Sequence, residues 1–281
     1  MELSIFLLVI AAASIHALWN LITKKVSGNL GTIAIGLWAA SLGSLPFALH
    51  YILKDGLPAL SLYYIGATGV IHAFYFYYIG KCYEIGDIST VYPVARGFGV
   101  AGTGIVAATV LGENISPSGA AGIMFVCLGI LIIGIHKSDE CTKGKSLRYA
   151  LVVGMTIIAY SYIDKVGVAL VNPVSYISGM FTIAAVTLTV VAVTWHRDVL
   201  IRSLRTQIRY GVAIGIGSIS TYLIILFAFR QGPLSYIAAV REFSVAIGSV
   251  MGFLFLKERL TAKKVFGITA ITLGLILIKF A

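Results

Sequence analysis

LGENISPSGAAGIMFVCLGILIIGI at 111–135 and LKERLTAKKVFGITAITLGLILIKF at 256–280 are one pattern written twice, 145 residues apart. Under that offset Glu113 falls on Glu258, Gly122 on Gly267, Gly129 on Gly274 and, upstream, Arg96 on Arg241. Gly86 and Ser89 fall on Gly232 and Ser235 at an offset of 146, so one residue is inserted between. At the start of the halves, ALWNLITKKV at 17–26 overlies IIAYSYIDKV at 157–166 at an offset of 140. Each copy of the pattern is a polar turn followed by roughly 20 mostly apolar residues, the length that crosses the hydrocarbon of a bilayer. The chain reads as a duplication whose units are transmembrane helices.

Composition demands the same. Hydrophobic residues make up 59% of the 281 and charged residues only 11%, with mean hydropathy +0.96. That is less than half the charge of a soluble domain, and too little polar surface to cover a soluble core. Ten apolar stretches are long enough to span: 3–24, 31–53, 62–83, 88–111, 117–136, 147–166, 173–195, 208–230, 234–256 and 262–280. The longest loop, HKSDECTKGKS at 136–146, leaves no room for a soluble domain. The expected fold is therefore all-α and integral to the membrane, one domain in two five-helix repeats, 1–137 and 147–281. Five spans per repeat is an odd number, so the second repeat must lie upside down, an arrangement found in secondary transporters around a central cavity. The opening MELS lacks a basic stretch and reads as the start of the first span, not as a removable leader.

Charge orients the expected fold. Of the 21 Lys and Arg, fifteen fall in alternate loops on one side and four on the other. The remaining two, Arg96 and Arg241, lie inside spans. The positive-inside rule puts the fifteen in the cytoplasm and both termini outside, as in a prokaryotic inner membrane. The pI of 9.5 and net charge of +10 do not indicate nucleic acid, because the cations sit in short clusters between apolar runs. Cys82, Cys127 and Cys141 make neither a metal spacing nor a disulfide framework. Neither a zinc-protease motif nor a Walker loop is present, so no ATP-driven pump is encoded here. No cofactor, metal or catalytic constellation is expected.

One motif invites a false reading. In VYPVARGFGVAGTG at 91–104, Gly97, Gly99 and Gly102 have the G-x-G-x-x-G spacing of a dinucleotide loop. That loop must follow a strand and open a helix, whereas this stretch runs through the fourth span. Its glycines are expected to admit neighbouring helices, and Pro93 to free the Ser89 carbonyl beside a cavity.

With these residues in view, the chain resembles the drug/metabolite transporter superfamily, in particular its EamA-type members. The carriers are the paired segments LGENISPSGAAGIMFVCLGILII and LKERLTAKKVFGITAITLGLILI, with IHALWNLITKK in the first span. VYPVARG and DKVG at 164–167 also resemble a branch whose members lie near phosphonate-utilisation genes. The resemblance implies ten helices in two inverted repeats and a cavity lined by spans 1, 3, 4, 6, 8 and 9. It further implies export or exchange of small polar metabolites, often amino acids or related organic ions.

Candidate site residues come from polarity in spans. Arg96 and Arg241 lie seven or eight residues inside spans 4 and 9, over roughly 10 Å from the helix starts. Each costs about 2.5–3.5 kcal/mol to insert, so the pair requires a reason: a fork for a carboxylate or phosphonate, or an internal ion pair. Glu242 is the acidic residue well inside a span, either a proton-coupling group or a counter-ion. Following Arg241 directly, it is expected to pair only across helices. His16, Trp19, Asn20 and Thr23 share one helical face. His72, Tyr75 and Phe76 repeat that spacing in the third span, and Ser218, Thr221 and Tyr222 occupy the equivalent face of the eighth. Tyr160 joins them from the sixth span, and Tyr92 shares the face of Arg96. Asp164 and Lys165 read as a helix-end pair at the interface, and Gly211/Gly215 and Gly248/Gly252 as close-packing steps.

Three functions compete at this stage. The first is a secondary transporter of an anionic or zwitterionic metabolite, with lipids around it and a proton as one candidate coupling ion. The second is an exporter of aromatic or cationic solutes, using Trp19, Tyr75, Tyr92, Tyr160 and Tyr222 while the arginines are structural. The third, a membrane-embedded enzyme, has no catalytic constellation behind it.

Overall fold

The computed structural model describes the backbone of residues 1–85, 88–134, 140–256 and 260–281, and the side chains of these except 83–92, 140–146 and 256. The chain runs through α1 (Leu3–Lys25), α2 (Leu30–Asp55), α3 (Ala59–Ile85), α4 (Ile88–Thr109), α5 (Pro117–Gly134) and α6 (Glu140–Gly167). It continues through α7 (Pro173–Trp195), α8 (Arg197–Thr206), α9 (Ile208–Gln231), α10 (Leu234–Arg241), α11 (Phe243–Leu256) and α12 (Ala262–Lys279). Among the described residues eight helical stretches are long and apolar enough to cross a membrane, with Leu234–Phe255 taken as one. In α12 the apolar run is bracketed by Lys263 and Lys264 at one end and Lys279 at the other.

The helix starts are set by ordinary capping chemistry. Asn29 accepts from the Thr32 amide (3.1 Å) to open α2, after a turn in which Ser27 and Gly28 take positive φ. Asn172 accepts from Val174 (3.0 Å) ahead of Pro173, where the missing N–H of proline costs nothing.

Two features depart from the sequence expectation. The short helix α8 lies in what reads as a loop, because RDVLIRSLRT is too charged to count as a span. It docks on the start of α2, where Ser203 donates to Asn29 Oδ1 (2.8 Å). Span 234–256 is also interrupted. The Glu242 amide returns to the Ala239 carbonyl (3.1 Å), a tighter closure than an α-helix makes. No proline or glycine marks the place.

Packing brings distant segments together. α1 lies on α9, α3 on α6, α2 on α7, α4 on α6 and α5 on α12. The two glycine motifs of the duplication meet each other: a Cβ on Gly122 would lie 2.7 Å from the Gly274 carbonyl oxygen, and one on Gly129 would lie 2.6 Å from that of Gly267. The early glycine of α5 thus meets the late glycine of α12, so the two helices cross antiparallel with backbones in contact. α2 and α7 are joined by Trp38 Nε1 donating to Thr189 (2.9 Å) and by Ser41 and Thr182 (2.7 Å). The glycines with dinucleotide-like spacing serve packing as expected, since Gly99 and Gly102 admit Ile157 and Ile158 of α6. Gly211 and Gly215 face α2 at close range, whereas Gly248 meets nothing within 4 Å and is not a packing step.

Candidate functional site

A cavity of about 40 Å³ lies where α1, α3, α6, α7, α9 and α10 converge. That is room for one or two waters. α1 contributes His16 and Trp19, and α3 contributes His72, Tyr75 and Phe76. Tyr160 comes from α6, Thr221 and Tyr222 with Ser218 from α9, and Arg241 from the end of α10. Met180 and Phe181 of α7 also line it, and no described side chain of α4 does. The polar stripes read in α1, α3 and α9 therefore converge on one space. The i, i+3, i+4 spacing on each helix is what turns these side chains to a common face.

Most of the wall is aromatic. The His72 ring lies 4.3 Å from Tyr160 and 5.1 Å from Tyr222, centre to centre. Tyr160 stands edge-on to Tyr75 at 5.7 Å and to Tyr222 at 5.9 Å. The Arg241 guanidinium lies 6.0 Å over the Tyr160 ring, within cation–π range.

Behind this wall is a cluster of buried charge. Arg96, Arg241 and Glu242 are 1%, 2% and 0% exposed. Glu242 Oε2 lies 2.8 Å from Arg96 Nε, and Oε1 lies 3.6 Å from Arg241 Nε. Glu242 thus bridges both arginines, including its own neighbour, which a regular helix would turn about 100° away. The break after α10 permits that contact. Arg96 Nη2 also meets His16 Nε2 at 2.9 Å. A guanidinium only donates, so the imidazole accepts there. Arg96 is consequently engaged behind the cavity, while Arg241 lines it with Nη2 buried and lacking a hydrogen bond.

The other expected residues divide as follows. Asn20 donates back to the His16 carbonyl (2.9 Å) and does not line the cavity. The side chain of Tyr92 lies outside the described residues. Asp164 is no interfacial helix-end pair, because it is fully buried. Tyr176 donates to its Oδ1 (2.8 Å), and Tyr222 donates to its Oδ2. Lys165 turns elsewhere, to the carbonyls of Phe229 and Gly232 (2.8 Å to the latter). Sequence reasoning missed this centre because its hydroxyls come from α7 and α9. Its one legible trace was Tyr160 and Asp164 sharing a helical face.

The break between α9 and α10 is also held by charge. Glu113, from the loop before α5, accepts from the amides of Leu234 (2.5 Å) and Ser235 (3.1 Å) and from Ser235 Oγ (2.7 Å). Carboxylate at the start of α10 and ammonium at the end of α9 both match the helix dipoles. The paired residue Glu258 lies outside the described residues. A second cavity, about 220 Å³, opens among Asp55, Gly56, Pro58, Ala169–Asn172 and Arg230 at the loop ends.

With the geometry in place, comparison with known proteins identifies the chain's relatives. The model of the EamA-like transporter family matches residues 3–135 and again 145–280. A solved structure described only as "Crystal structure of protein" superposes with a TM-score of 0.75 at 14% identity, over 98% of this chain and 95% of that one. At that identity the likeness concerns the fold alone. No curated protein matches the chain.

Proposed function

The chain belongs to the EamA-like transporter family, an integral membrane transporter of small solutes, and from that premise we propose that it moves a small anionic or zwitterionic metabolite by alternating access. The substrate carries a carboxylate or phosphonate, and its planar or aromatic body rests among Tyr75, Tyr160 and Tyr222. The observation that carries this reading is the charge of the buried cluster: two guanidiniums share one carboxylate. The cavity-lining partner, Arg241, retains an Nη2 without a hydrogen bond. A buried cation that lines the cavity with an unmet donor favours an anionic partner.

Ten spans in two inverted halves are part of the proposal. Its support is a packing pattern that survives exchange of the halves. α1 on α9 becomes α6 on α3, α2 on α9 becomes α7 on α3, and α2 on α7 maps to itself. The repeated glycines of α5 and α12 meet antiparallel, as repeats related by an axis in the membrane plane must. A cavity of about 40 Å³ admits no metabolite, so transport requires the helices around it to part on either side in turn.

The test is counterflow in proteoliposomes with phenylpyruvate, L-phenylalanine, methylphosphonate and tetraphenylphosphonium. Accumulation of the acids, with Arg241→Ala lowering uptake about 10- to 100-fold for a lost charge-assisted contact, is the expected result. Exchange of tetraphenylphosphonium that survives Arg241→Ala would instead support the second reading, an exporter of aromatic or cationic solutes. The aromatic wall and the engagement of Arg96 behind it favour that alternative.

A further inference from the structure

We infer that Asp164 is a proton site coupled to the anion: it takes up one proton as an anion settles beside Arg241 and releases it as the anion leaves. The inference rests on the anionic reading of the cavity and adds the coupling ion and the group that holds it.

Electroneutrality is the first argument. The buried core holds Arg96, Arg241 and Glu242, and an ionised Asp164 brings their sum to zero. An anion entering this space adds a charge that a low-dielectric interior penalises heavily. Protonating one carboxylate restores neutrality. The balance is simple: the Asp164 carboxylate plus a proton from water gives the neutral carboxyl, and release to water on the far side regenerates the carboxylate.

Contacts decide which carboxylate takes the proton. Glu242 is bound to both guanidiniums, so protonating it would strand two buried cations. Asp164 has no ion pair among the described residues and accepts from phenols. The groups facing it are Tyr176 on α7, Tyr222 on α9, Thr68 on α3 and the more distant charge of Arg241 on α10. On α3, His72 is bonded to Thr68 (3.1 Å). On its own helix Tyr160 lies one turn before, and Lys165 is directed to the Phe229 and Gly232 carbonyls. Neutralising Asp164 therefore breaks no salt bridge.

The hydroxyls supply the link to the cavity. Each Asp164 oxygen receives one phenolic proton. A protonated carboxyl must donate from one of those oxygens, so one phenol has to turn away or accept. Tyr176 is 0% exposed and is not on the cavity wall, whereas Tyr222 is on it. Tyr222 is thus the phenol with room to turn, and its movement reshapes the wall. Along α6, Asp164 also lies one turn beyond Tyr160 of the cavity and shortly before Ala169–Asn172 of the larger opening. Along that helix Asp164 therefore stands between the two cavities.

Two measurements on the full chain test this. Infrared difference spectra of ligand-free protein, stepped from mildly alkaline to mildly acidic buffer, should show the carbonyl band of a protonating carboxyl. The band should vanish in Asp164→Asn and shift in Asp164→Glu, with monodispersity confirming that each variant folds. A band that survives in Asp164→Asn, or its absence from wild type, overturns the proposal without reference to any substrate. Phenylpyruvate added to lightly buffered wild-type protein should then draw up about one proton per anion bound. Binding with no proton uptake overturns the coupling. Failure of every anion to bind, with the Asp164 band present, sinks the anionic reading and not the proton site.

Discussion

Glu242 stabilises two arginines at once, and the consequence of removing it follows from what remains. Glu242→Gln leaves Arg96 and Arg241 buried without their shared carboxylate. Breaking a buried ion pair from one side costs about 3–5 kcal/mol. A large fall in melting temperature in detergent is expected. Arg96→Met combined with Glu242→Gln lowers the stranded charge from two to one, so the double variant should melt above Glu242→Gln alone. If the two changes add as independent losses, the shared-carboxylate picture is wrong. The twin arginines were legible in the sequence because the duplication aligns them and because charge inside a span is costly. Their division of labour was not. Glu242 adjoins Arg241 in sequence yet approaches Arg96 more closely, and only the helix break explains both contacts.

At the level of helices, the close approach of α5 and α12 is the test of the duplication. Gly122 and Gly129 of α5 leave no room for a methyl group, since a Cβ would meet carbonyl oxygens at 2.7 and 2.6 Å. Gly122→Ala and Gly129→Ala should each destabilise by about 1–3 kcal/mol, the range for overpacking, read as a lower melting temperature. Gly43→Ala and Gly248→Ala face open space and should be neutral or stabilising by up to about 1 kcal/mol, since alanine favours the helix. Equal damage from all four would mean that α5 and α12 do not touch. Apolar length and capping residues made the spans legible, and repeated glycines marked α5 and α12. α8 was hidden because its charges resemble a loop, and the break after Arg241 was hidden because no proline or glycine announces it. Asp164 was hidden for a third reason: adjacency to Lys165 suggested a pair, while its actual partners, Tyr176 and Tyr222, lie on other helices.

For the whole molecule, the arrangement of charge predicts which way the transporter faces. Fifteen cations fall in loops on one side and four on the other, a bias that orients membrane helices with the rich side in the cytoplasm. Helix α8 belongs to the rich side, carrying Arg197, Arg202 and Arg205. The opening formed by Asp55, Asn172 and Arg230 belongs to the poor side, which then faces outward. Single cysteines at Lys54 and Arg205, in a chain whose three native cysteines are replaced by serine, read this directly in intact cells. A membrane-impermeant maleimide should label position 54 and leave position 205 unlabelled until the membrane is permeabilised. The reverse pattern would invert the molecule and turn the larger opening toward the cytoplasm. Labelling of both from outside would contradict the five crossings that the proposed ten-span arrangement puts between the two positions. Because a proton site at Asp164 lies toward that same opening, the labelled face is also the one from which acidification should act first on anion uptake.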